Sequence, residues 1–101
     1  MDERDGKSYA YLLECGDGTL YCGWTNDPER RLQAHNAGTG SRYTRARRPV
    51  RMVYLESFDT RREAMRREAR IKRMTRAQKL ALIAGDPVSG GKRKNGRDGE
   101  T

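Results

Sequence analysis

The fourteen residues from Thr60 to Arg73 (TRREAMRREARIKR) leave this chain little choice about how to fold. Only Ala64, Met65, Ala69 and Ile71 are apolar, and at about 100° per residue they gather on one narrow arc of a helix. A helix so rich in arginine is stable only when that arc is covered, so the rest of the chain must supply a layer to pack against. Glu68 falls inside the same arc. A carboxylate in that position is either half of an i,i+4 ion pair with Lys72 or a metal ligand.

The covering layer is a small sheet. Ser8 to Cys15 (SYAYLLEC) and Thr19 to Trp24 (TLYCGW) are β-rich runs joined by Gly16-Asp17-Gly18, a sequence suited to a tight hairpin. Alternation puts Tyr9, Tyr11 and Leu13 on one face of the first run, and Tyr21 with Gly23 on one face of the second. Pairing through this turn brings Tyr11 near Tyr21, although a shift of one register would separate them. Val50 to Phe58 (VRMVYLESF) reads as a third strand.

Helix signals fill the intervals. Asp27 suits an N-cap, Pro28 the first helical position and Glu29 the positive end of the helix dipole; Gly38 ends the run PERRLQAHNA. Arg31 and His35 lie one turn apart on it, beside the buried edge marked by Leu32. Ser41 to Pro49 (SRYTRARRP) reads as a basic connection. Asp59 or Thr60 caps the Glu68 helix, and Thr75 starts a last helix whose Leu80, Leu82 and Ile83 can pack back. The expected fold is α/β: one small domain with a three-stranded antiparallel sheet flanked by helices, in the order β-β-α-β-α-α. The folded unit is expected over residues 8–84, between flexible stretches at 1–7 and 85–101 that hold too little apolar surface to order.

Charge narrows the partner. The net charge is +8, but residues 1–40 hold four basic against seven acidic side chains, whereas residues 41–80 hold fourteen against four. Twelve of those fourteen are arginine, whose planar fork suits phosphate oxygens, so nucleic acid heads the list of partners. No apolar run reaches membrane-spanning length and the N-terminus is acidic, which argues against a membrane or secreted protein. Cys15 and Cys22 lie in one hairpin without zinc-ligand spacing and read as reduced residues of a cytoplasmic protein.

One carboxylate, one arginine, the only histidine and two tyrosines on a basic surface suit phosphodiester cleavage. In that reading Glu68 holds a divalent cation, Arg31 steadies the phosphate's growing charge, and a tyrosine or His35 moves a proton from water. Tyr11 and Tyr21 stay equal candidates for that last role.

These residues resemble the GIY-YIG nuclease domain. Tyr9-Ala10-Tyr11 stands where that family has Gly-Ile-Tyr, and Tyr21-Cys22-Gly23 where it has Tyr-Ile-Gly. Arg31 matches the family's helix arginine, His35 a position of histidine or tyrosine, and Glu68 the single metal-binding glutamate. LYCGWTNDPERRLQAHNAG, YTRARRPV and REAMRREARIKRMTRAQK are similar to the small stand-alone bacterial, YhbQ-like members. The resemblance implies DNA endonuclease activity with one Mg²⁺ or Mn²⁺ ion, service in repair or recombination, and target choice by a protein partner, the 38–49 segment or DNA shape. Arg42, Tyr43, Arg45, Arg47, Arg48, Arg70, Lys72 and Arg73 are the expected nucleic-acid contacts, with Tyr43 able to stack on a base. The alternative is a basic nucleic-acid-binding module that keeps the scaffold and cleaves little or not at all.

Overall fold

A computed structural model describes residues 6–85, so the expected flexible stretches lie outside it except for Gly6, Lys7 and Gly85. Strands β1 (Ser8–Glu14) and β2 (Leu20–Thr25) form the hairpin. Its turn is closed by Gly18 at φ +86° and by Asp17, whose Oδ1 accepts from the backbone N–H and the hydroxyl of Thr19. Helix α1 (Pro28–Ala37) follows, then a single turn α2 (Arg42–Arg45), strand β3 (Arg51–Phe58) and helices α3 (Arg61–Lys72) and α4 (Arg76–Ala84). The sheet has three antiparallel strands, as the sequence implied, and their order in it is β2-β1-β3. The turn of α2 is additional: Ser41 caps it by accepting the Thr44 N–H, which gives helical shape to a segment read as plain connection.

The helix ends are made by the residues whose chemistry suggested them. Asp27 accepts the Arg30 N–H, and Gly38 closes α1 in the left-handed region at φ +89°. Thr60 with Glu63, and Thr75 with Gln78, form reciprocal capping boxes at α3 and α4.

Because β1 is central, its alternate side chains feed two apolar layers. Ala10 and Leu12 join Cys22, Ile71 and Leu82 on the face covered by α3 and α4. Tyr11 and Leu13 join Cys15 and Val50, with Tyr21, Leu32 and Met52 at the margin. Asn36 ties the end of α1 to this second layer: its amide donates to Val50 O (2.9 Å) and accepts from Val50 N (2.8 Å).

The inward arc of α3 is rotated from the expected one. Ala64 and Ile71 are buried, but Met65 and Ala69 are exposed, and Arg67 and Glu68 occupy the flanks. The reason is a polar anchor on β3. Arg67 Nε donates to Glu56 Oε1 (2.9 Å), which also accepts from the Tyr54 hydroxyl (2.6 Å). Burial, reinforced by Glu56, pushes the Tyr54 phenol up to about 12. On α4, Leu82 is buried and Ile83 packs beside it, while Leu80 points to solvent, one position off the stripe that docks.

Candidate active site

In the hairpin register Tyr11 faces Gly23 and Tyr21 faces Leu13, so the two tyrosines share a face as diagonal neighbours. Gly23 is required there. A Cβ at that position would lie 2.5 Å from the Tyr11 hydroxyl oxygen, so the ring can lie across the strand only over a glycine. Tyr11 is buried, and its hydroxyl is 3.0 Å from Nε2 of His35, one of the fully buried side chains. Nδ1 of His35 is 2.7 Å from Thr44 Oγ1, which lies 2.9 Å from Ser41 Oγ. Gly40 backs the imidazole so closely that any Cβ would overlap the ring.

Arg31, one turn before His35, places its Nε out of solvent with no hydrogen-bond partner. Its charge is felt by both neighbours. Burial raises the Tyr11 phenol to about 12 against the opposing pull of Arg31. Burial, then the Arg31 charge, lowers His35 below its ordinary value, so the imidazole is neutral at pH 7. The Tyr21 ring meets His35 edge-on with centroids 5.3 Å apart and stacks on Tyr43 at 5.8 Å. Arg47 sits 3.8 Å above the Tyr43 ring, donates to Tyr43 O (2.9 Å) and pairs with Asp17 (3.1 Å).

Glu68 approaches from the other side of the sheet. Its backbone oxygen is 3.6 Å from Cys22 Sγ, directly between Tyr21 and Gly23 in the chain, so Glu68 flanks the same outer strand β2. The carboxylate is 19% exposed and 3.2 Å from Lys72 Nζ, so the ion pair expected from the i,i+4 spacing is formed. Among the described residues no three His, Cys, Asp or Glu side chains gather as a metal cluster. Both cysteines are free and buried; burial raises Cys15 and pushes Cys22 up to about 11, which suits packing rather than nucleophilic attack.

Tyr11, Tyr21, Arg31 and His35 are therefore one connected group, with Glu68 behind β2. Arg42, Arg45, Arg70 and Arg73 are exposed, as phosphate contacts would be. Tyr43 and Arg47 already stack on each other, and Arg48 Nε is spent on Arg45 O (3.0 Å). His35 is too deeply enclosed to touch a phosphate itself. Sequence reasoning missed Thr44, Ser41, Gly40 and Asn36. Only Ser41 carried a local signal, as a hydroxyl residue placed to cap the turn that contains Thr44.

The family model described as the GIY-YIG catalytic domain matches residues 7–81, and the chain belongs to that family. More narrowly, it is similar to proteins called UPF0213. One from Clostridium perfringens is 52% identical over 81 residues, covering 80% of this chain and 87% of the relative. Another from Halobacterium salinarum is 57% identical over 75 residues, covering 74% and 97%. Among solved structures, the UPF0213 protein BH0048 from Bacillus halodurans matches with TM-score 0.51 and 42% identity over 77% of this chain and 83% of that one. The protein EF2693 from E. faecalis matches with TM-score 0.54 and 47% identity, covering 78% and 84%. No helix among the described residues is long and apolar enough to cross a membrane.

Proposed function

We propose that this protein is a divalent-metal-dependent endonuclease that hydrolyses DNA phosphodiester bonds. The observation that carries this reading is the buried, unpartnered Nε of Arg31 beside the Tyr11–His35 pair. A guanidinium N–H kept from water without an acceptor is costly, and an anionic phosphate is the acceptor its charge calls for. Membership of the GIY-YIG family supports the same reaction class.

In this reading Tyr11 is the proton acceptor for the attacking water, because a neutral imidazole on its hydroxyl gives its own proton somewhere to go. Tyr21 walls the site and orients water or phosphate, and Arg31 binds the negative charge that grows on the phosphate. His35 acts through Tyr11. One half-buried carboxylate fits a cation that keeps most of its shell as water and phosphate oxygens, so Glu68 would hold Mg²⁺ or Mn²⁺, which when bound neutralises phosphate charge. Lys72 would exchange Glu68 for a phosphate. Arg42, Arg45, Arg70 and Arg73 supply sequence-independent backbone contacts, and Tyr43 with Arg47 forms a stacking edge. Selectivity for branched or damaged DNA would come from the 38–49 segment or a protein partner.

The test is cleavage of matched single-stranded, duplex, flapped and four-way-junction DNA with Mg²⁺, Mn²⁺ or EDTA. Glu68→Gln is run beside the wild type, and binding is measured in parallel. Metal-dependent cutting by the wild type and none by the variant, with binding kept, is the expected result. Binding without cutting in every metal would sink it. That outcome belongs to a second reading, a nucleic-acid-binding module without cleavage, which the Glu68–Lys72 ion pair favours because the lysine already neutralises the carboxylate.

A further inference from the structure

Both ring nitrogens of His35 are committed inside the fold, Nε2 to the Tyr11 hydroxyl at 3.0 Å and Nδ1 to Thr44 Oγ1 at 2.7 Å. A neutral imidazole carries one N–H, so this chain of groups can be polarised in only two directions. With the proton on Nε2, the Tyr11 hydroxyl would have to donate elsewhere. The group beside it is the Arg31 guanidinium, which only donates. With the proton on Nδ1, every hydrogen has a place. Tyr11 donates to Nε2, Nδ1 donates to Thr44 Oγ1, and the Thr44 hydroxyl has Ser41 Oγ at 2.9 Å and the Ser41 carbonyl oxygen at 3.4 Å as acceptors. The Tyr11 oxygen then faces the Arg31 guanidinium as an acceptor.

The geometry points to Thr44 as a positioning residue that fixes His35 as its Nδ1–H tautomer, with Ser41 completing a hydroxyl relay from Tyr11 toward the surface. The tautomer stands on the hydrogen bonds alone; its part in catalysis rests on the nuclease reading above. As the water oxygen bonds to phosphorus, its proton passes to the Tyr11 oxygen and the Tyr11 proton to Nε2. The Nδ1 proton moves to Thr44, the Thr44 proton to Ser41, and the Ser41 proton to solvent. The bond from phosphorus to the leaving oxygen breaks, and that oxygen takes a proton from solvent. Each relay member ends with the number of protons it began with, and His35 ends as the other tautomer. The titratable or charged groups near the imidazole are Tyr11 from β1, Tyr21 from β2 and Arg31 from α1, while α2 contributes the uncharged Thr44.

His35 is the chain's only histidine, so a long-range ¹H–¹⁵N spectrum reports one imidazole without assignment. At pH 8 the wild type should show a protonated Nδ1 and a bare Nε2; the opposite pattern overturns the assignment. Thr44→Val should lose the single tautomer. It should also lower kcat by about ten- to a hundredfold with KM little changed, the size seen when hydrogen-bonded partners behind metal-ligating histidines are removed. Thr44→Ser should restore both the spectrum and most of the rate. DNA cleavage unaffected in Thr44→Val would overturn the relay while leaving the nuclease reading intact. A wild type with the Nδ1–H pattern that cuts no DNA would uphold the Thr44 assignment and remove the nuclease reading. Should Thr44→Val fail to fold, the wild-type spectrum and the serine variant decide.

Discussion

At the scale of single residues, Tyr11 does two separable things: its ring fills the layer with Leu13 and Val50, and its hydroxyl bonds His35. Tyr11→Phe keeps the first and removes the second. It should fold, lose about 1–2 kcal/mol because Nε2 of His35 is left buried without a partner, and lose cleavage. Urea unfolding beside the cleavage assay checks both parts. Tyr11, Tyr21, Arg31 and His35 could be found in the sequence because each sits on a regular element, where spacing fixes direction. Thr44 could not. It reaches His35 only because α2 folds a basic stretch into one helical turn, and nothing in YTRARR announces a buried hydroxyl.

Among the elements, α3 shows how far periodicity alone can go. The 3.6-residue repeat located the helix and put Glu68 near its inner face, yet Met65 and Ala69 lie outside while Arg67 is turned inward. A hydrophobic arc four residues wide is too weak to fix rotation against a specific ion pair, and Glu56 on β3 supplies that pair. Arg67→Met should therefore cost about 1–3 kcal/mol, because Glu56 loses its cation in a half-buried setting. The exposed neighbour Arg66→Met should change stability by less than about 0.5 kcal/mol. Thermal or urea unfolding of the two variants distinguishes a polar anchor from a merely basic helix. The strands were easier to read, since alternation and the Gly-Asp-Gly turn both point to the hairpin, and the structure adopts the register that puts Tyr11 beside Tyr21.

Over the whole molecule, the groups displaced from their ordinary pKa set the limits of stability. Tyr11 and Tyr54 are raised from 10 to about 12, so the folded state keeps protons that the unfolded chain has lost. Their contribution is complete below pH 10 and disappears as pH rises to about 12. His35 is lowered from 6.5, so its contribution is present above that pH and is lost as pH falls below it, when the unfolded chain takes up a proton that the folded one refuses. Denaturant midpoints should fall on both sides, and Tyr11→Phe should flatten the alkaline fall by about 3 kcal/mol. The charge asymmetry seen along the chain is partly spent within the fold. Glu14 binds Arg51 at 2.6 Å and Asp17 binds Arg47 at 3.1 Å, which leaves the exposed arginines of α2 and α3 as the usable basic surface.

The central strand also bears on how such a protein ages over generations. Since β1 serves both apolar layers, selection for a stable fold is enough to keep an aromatic ring at position 11, with Gly23 beneath it. The ring packs without the oxygen, whose structural use is its hydrogen bond to the buried His35. A lineage that stopped acting on its substrate could drift from tyrosine to phenylalanine there together with a change at position 35, and with the phenol gone it would have little reason to keep Thr44 or Arg31. The outline of the motif would survive such a loss, and the hydroxyl would be the first part to vanish.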